Sequence, residues 1–227
     1  MANTVLEKPG QIKSLVEDTL EEINKELLFM ITMTIKSFEN AINALETSDN
    51  KLAMKVINKD NDINHLEEQI NYSVTIALAK YQPMASDLRK LIAALKISND
   101  VERIADYAKS IANTAVINAD KTFMTKGFLD KTKQMSDIVI GMLKKAESAI
   151  KDYDVNKAYK VASSGDELDQ LLKDTVKSNP FELLKEDNVE SFVELMSVIR
   201  NLERARDHVK NVCESVVFVG NGTIVEL

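Results

Sequence analysis

Displacing this chain of 227 residues by 101 positions lays one part of it on another. Glu102-Arg103-Ile104-Ala105-Asp106 falls on Glu203-Arg204-Ala205-Arg206-Asp207, so both copies read Glu-Arg-x-x-Asp. The same displacement pairs Leu95 with Met196, Lys109 with Lys210, Ile111 with Val212 and Val116 with Val217. Agreement in both polar and apolar positions over more than roughly twenty residues marks an internal duplication. Upstream the offset grows by a few residues, so that Ile63-Asn64 meets Leu168-Asp169. Two copies are too few for a solenoid; they describe two related units.

The units are helical. From Gln11 to Glu46 apolar residues recur every three or four positions (Ile12, Leu15, Leu20, Ile23, Leu27, Ile31, Phe38, Ile42 among them), with no Gly or Pro between. That period predicts one long amphipathic helix. Thr47-Ser48-Asp49-Asn50 breaks it, and Asp49 or Asn50 caps a second helix over Lys51–Lys80. Gln82-Pro83 forces a turn, and Ser86-Asp87 opens a third helix that runs past Ala115 to the polar Asn118–Lys121. The pattern then predicts helices over about Lys126–Lys151 and Val155–Asn179. After Pro180, Lys185-Glu186-Asp187-Asn188 caps a last helix to about Val219. The expected architecture is all-α, two tandem three-helix repeats forming a six-helix antiparallel bundle. A tail over 1–10 precedes the first repeat, 11–118, and the second spans 126–219. With only 6 Gly and 3 Pro, the chain lacks the turn material of a multi-stranded β fold.

Charge and composition exclude several functions. The net charge is −7, from 36 acidic and 29 basic residues with no basic block, which argues against a nucleic-acid backbone as partner. No apolar run approaches the ~20 residues needed to cross a bilayer, and Met1–Gly10 lacks the apolar centre of a signal peptide. The lone Cys213 has no internal partner and fits a reducing compartment. The expectation is a cytoplasmic protein, at most peripheral to a membrane through its partners.

Catalysis finds few candidates. Cys213 lies within the apolar periodicity and reads as packing. His65 and His208 are not repeat-equivalent, stand in no zinc spacing, and read as surface or edge histidines. There is no phosphate-cradling glycine loop. Acids remain: Glu102 with Asp106 and Glu203 with Asp207 each project from one helix face at four-residue spacing. The preceding helix offers Asp60 and Asn64 in the first unit and Asp169 in the second. Carboxylates without thiols or imidazoles suit hard cations, or iron where several converge. The same acids suit salt bridges to Arg103, Arg204 and Arg206, so both readings stand on the spacing alone.

Gln82-Pro83-Met84-Ala85-Ser86-Asp87-Leu88-Arg89, followed by Asp100-Val101-Glu102-Arg103-Ile104-Ala105-Asp106, resembles the phosphate-uptake regulator family, PhoU. Leu202–His208, with Asn211–Val217 behind it, resembles that family's second repeat. The resemblance covers nearly the whole chain and implies the same six-helix fold. It implies no enzyme but a negative regulator of phosphate uptake and phosphate-starvation signalling, acting by contact with the phosphate ABC importer and its sensor histidine kinase, as a homodimer or larger oligomer. It also implies a rival role, a carboxylate-bound iron or other divalent-metal cluster for storage or sensing. Carried over, the ligands would be Asp60, Asn64, Glu102 and Asp106, then Asp169, Glu203 and Asp207. This chain departs from the family pattern at four places. Asn64 is an amide where a carboxylate is expected, Gly165 stands opposite Asp60, and Ala105 and Arg206 replace the usual glycine. Arg206 can neutralise acids itself, which places metal binding in the first unit ahead of the second.

Overall fold

A computed structural model describes residues 9–117, 125–177 and 189–227, all of it helix and short connections, with no strand among them. The helices are α1 (Pro9–Thr47), α2 (Asn50–Tyr81), α3 (Ala85–Ile117), α4 (Lys126–Asp152), α5 (Val155–Ser163), α6 (Asp166–Lys177) and α7 (Val189–Asn221). Residues 1–8 of the tail expected over 1–10, residues 118–124 of the join and the cap residues Lys185–Asn188 lie outside the described residues, while Pro9 and Gly10 belong to α1.

Local chemistry sets the ends. α1 begins two residues earlier than the period suggests, at Pro9, a residue suited to a first helical turn. Ser48 takes a left-handed conformation, and the Asp49 carboxylate then accepts the backbone N–H groups of Lys51 and Leu52 at 3.0 Å. Gln82, left-handed at the end of α2, donates its N–H to the Leu78 carbonyl before Pro83 stops the helix. Thr125 and Asp154 cap α4 and α5 in the same way.

The helix expected over Val155–Asn179 is interrupted. α5 ends at Ser163 and α6 restarts at Asp166. Ser164 bonds the Val161 carbonyl with both its backbone N–H (3.1 Å) and its hydroxyl (2.7 Å), which tightens the last turn. Gly165 then lets two side chains come against the bare backbone: a Cβ there would stand 3.0 Å from Arg206 Cδ and 3.1 Å from Met142 Cε.

The first unit has three helices, with α2 packed on α1 and α3; in the second, where the middle helix is broken, α5 and α6 pack on α4 and α7. The units meet through α1 with α4 and α3 with α7. Thr32 bonds Glu147 at 3.0 Å and Lys144 bonds Glu39 at 2.8 Å, so α1 and α4 run antiparallel. The α3–α7 contact is reciprocal in the duplication. Asn211 donates to Asp100 at 3.1 Å, while Asn201, the repeat mate of Asp100, donates to Ser110, the repeat mate of Asn211, at 2.9 Å. Between them Tyr107 meets its own repeat mate, His208, at 3.3 Å. Such an exchange of partners is what a two-fold interface produces, here inside one chain. One continuous apolar core runs through both units, from Leu27, Ile31 and Phe38 through Ile97 and Ile104 to Phe128, Leu143, Leu202 and Val216.

His208 is therefore no surface histidine. Its Nδ1 lies 2.8 Å from the Asp100 carboxylate, and both groups are largely shielded in the seam between the units. Cys213 is core packing, as its periodicity implies: it is fully buried, and burial first, then Glu214, pushes its thiol up to about 12.

Candidate functional site

The repeated acids lie on the outer seams, α2 against α3 and α6 against α7, away from the surface where the units join. In the first seam Asp60 and Asn64 of α2 face Glu102 and Asp106 of α3. Asp60 is 2% exposed, a costly place for a carboxylate without a partner. Its partner is Lys109, one turn beyond Asp106, whose ammonium donates to Asp60 Oδ2 at 2.6 Å. The Asn64 amide donates to the same oxygen at 3.4 Å. Arg103 lies 3.4 Å from Glu102 and bonds Asp106 at 3.3 Å.

Burial, then the negative charge of Asp106, raises the Glu102 carboxyl above its ordinary range; Arg103 opposes this, and Glu67 and Asp60 add to it. Lys109 is also raised, first by its bond to Asp60, and further by Asp106 and Glu102, against the effect of burial. Three oxygens here are buried without a hydrogen bond: Asp60 Oδ1, Asn64 Oδ1 and Glu102 Oε2.

The second seam is organised differently. Arg206 is 7% exposed, and its guanidinium bonds Asp169 through Nη2 and approaches Asp207 through Nε at 3.3 Å. Lys210, the repeat mate of Lys109, lies 3.9 Å from Asp166. Glu203 is exposed and stands outside this cluster. Two departures from the duplication are thus one event. Where the first seam has Asp60 and the small Ala105, the second has Gly165 and Arg206, and the missing side chain of Gly165 makes the room that the arginine stem uses. Gly165→Ala is accordingly expected to cost about 1–2 kcal/mol in chemical denaturation, because the new methyl also meets the Ala162 carbonyl at 3.3 Å, which is backbone and cannot swing aside. Pairing it with Arg206→Ala should add less than the two single losses summed.

Seven residues were candidate metal ligands. The structure gathers Asp60, Asn64, Glu102 and Asp106 in one seam, and Asp169 and Asp207 around Arg206. A multinuclear cation needs several carboxylates converging with open oxygens. Among the described residues no three His, Cys, Asp or Glu side chains come together in that way. In each seam a protein cation bonds one of these acids, Lys109 to Asp60 in the first and Arg206 to Asp169 in the second. Lys109 carried a sequence signal, its pairing with Lys210, but its target on α2 is visible only once the helices are packed.

Fold and site together define a class: a duplicated helical bundle with a repeated acid motif beside each outer helix seam. The family model of the PhoU domain matches the chain twice, at residues 27–115 and 132–216. The chain belongs to the PhoU family. The phosphate-specific transport system accessory protein PhoU homolog of Clostridium acetobutylicum is 31% identical, over 95% of this chain and 98% of its own length. Homolog 1 from Thermotoga maritima is 29% identical, over 91% and 89%. The crystal structure of PhoU from Pseudomonas aeruginosa superposes with a TM-score of 0.84 at 30% identity, over 91% of this chain and 99% of that one. PhoU from Streptococcus pneumoniae, at 24% identity and a TM-score of 0.82, shares the fold over 93% and 100%. No helix among the described residues is long and apolar enough to cross a membrane.

Proposed function

We propose that this chain is an accessory protein of phosphate transport. It acts by protein contact, without catalysis, as a negative regulator of uptake and of the phosphate-starvation response. Its contacts in this reading are the phosphate ABC importer and the phosphate-sensing histidine kinase, and it works as a homodimer in the cytoplasm. The observation that supports the reading is the likeness to the Clostridium acetobutylicum accessory protein over almost the full length of both chains. The seams agree with it, because Lys109 and Arg206 hold Asp60 and Asp169 as struts between helices. An in-frame deletion of the gene should switch on phosphate-starvation genes in phosphate-replete medium. Normal repression in a clean deletion strain overturns the proposal. The rival reading, an iron store or sensor, needs seams emptied of protein cations. Elemental analysis of untagged protein after addition of ferrous iron should find no stoichiometric metal; several irons per chain would favour the rival.

A further inference from the structure

The start of α2 carries a ladder of lysines that neither acid seam uses. Lys51, Lys55 and Lys59 follow at four-residue spacing and share one face over roughly 12 Å of helix. They line a shallow depression of about 510 Å³ with Asn58 and Met54, which is 44% exposed. Lys36 of α1 joins Lys55 and Lys59 across the adjoining α1–α2 groove.

All four lysines are exposed, and none has a carboxylate within 4.0 Å among the described residues. Lys25, Lys109, Lys144 and Lys157 each reach an acid, while Lys80 and Lys96 lie over aromatic rings instead. The ladder also opposes its own helix. Like charges at four-residue spacing repel, and cations in the first turns face the positive end of the helix dipole. The first turn of α2 holds no acid, and Asp49 spends its carboxylate on backbone N–H groups. In a chain of net charge −7 these four lysines make a local positive surplus. Local choices that disagree with helix stability mark functional surfaces.

We propose that this groove docks an acidic segment of a partner protein. Its length fits two to three turns of an acidic helix whose carboxylates repeat every ~6 Å, in register with the lysines. The bare Met54 gives such a segment an apolar residue to cover. A nucleic-acid strand or an anionic bilayer fits poorly, since Asp62 takes the next place on the same exposed face and ends the basic stretch. The proposal rests on the protein-contact reading above for its kind of partner, and not on phosphate.

The test places the photo-cross-linking residue p-benzoylphenylalanine at position 54 of the full chain, in phosphate-replete cells of the native host. Mass spectrometry identifies the cross-linked segment. The expected result is an adduct to one protein, on a segment rich in Asp and Glu. Replacing all four lysines by Gln, in a variant that keeps its far-UV spectrum and melting point, should cut the adduct at least roughly tenfold. Adducts to nucleic acid, to lipid or to a second copy of this chain overturn the proposal. So do adducts indifferent to the lysines, and so does the absence of any adduct. A lysine-dependent adduct on an acidic segment of a protein outside phosphate transport and signalling keeps the groove and removes the proposed function.

Discussion

Lys109→Met is expected to destabilise the protein by about 3 kcal/mol, whereas Lys25→Met, which breaks an exposed ion pair of similar length, should leave the melting temperature almost unchanged. The difference lies in the acid and not in the lysine. Asp60 is 2% exposed, its Oδ1 has no hydrogen bond, and its Oδ2 would keep only the long 3.4 Å contact to Asn64. Removing one partner of a buried pair strands the other, which is what makes such losses large. For a chain of this size the shift in melting temperature should be about 6–12 °C. Asp60→Asn together with Lys109→Met removes the stranded charge and should recover most of the loss, giving a coupling energy that the single variants cannot show. The pH dependence has a defined sign. The Lys109 ammonium is raised above its ordinary 10.5 by Asp60, so its stabilisation is fully present below 10.5 and is lost as pH rises through the folded value. The gap between the parent chain and Lys109→Met is therefore flat from pH 6 to 9 and closes only in strong alkali. A Lys109→Met melt within about 2 °C of the parent would show that water, and not the ammonium, satisfies Asp60.

Much of this architecture is legible from periodicity. α1, α2, α3, α4 and α7 are unbroken runs with a period of 3.6 residues, ended by Pro, by cap residues or by left-handed turns, and each of those signals is local. The break between α5 and α6 is not local. Val161, Ala162, Leu168 and Leu172 keep helical spacing across it, and a lone glycine in such a pattern is tolerated as often as not. What fixes Gly165 is the approach of Arg206 from a helix some forty residues later. The acid sets illustrate the same boundary. Spacing and duplication picked out Asp60, Glu102, Asp106, Asp169 and Asp207, and Arg206 announced itself as a neutralising charge. Lys109 did not, because its partner lies across a helix pair. His208 was misread for a related reason. Its environment is a reciprocal seam, and only the packed structure shows that Asp100, Ser110, Asn201 and Asn211 exchange partners about the Tyr107–His208 contact. The displacement of 101 residues already pairs each of these positions with its mate, so the signal was present. Its meaning as an internal two-fold was not.

Leu202→Ala tests whether the duplicated units fold as one. Leu202 is fully buried on α7, in the part of the core that α7 shares with α3 and α4. Truncating a leucine there costs the transfer of its lost methyl and methylene groups plus the cavity they leave, about 3–5 kcal/mol. If the units were independent, the loss would fall on the second alone and two transitions would separate. The continuous core and the exchanged hydrogen bonds of α3 and α7 make that outcome unfavourable: unfolding the second unit uncovers the face of α3 that packs on α7 and leaves Asp100 without His208 and Asn211. The expected result is one cooperative transition, lowered by roughly 6–20 °C. Hydrogen exchange should speed up together in peptides from the inner helices α3 and α7. The chain has no Trp, but its five tyrosines report on both units, with Tyr72, Tyr81 and Tyr107 in the first and Tyr153 and Tyr159 in the second. Fluorotyrosine signals from the two groups should disappear at the same temperature. A first unit that keeps its tyrosine signals after the second has melted would show that the shared core is a docking surface between two separately stable bundles.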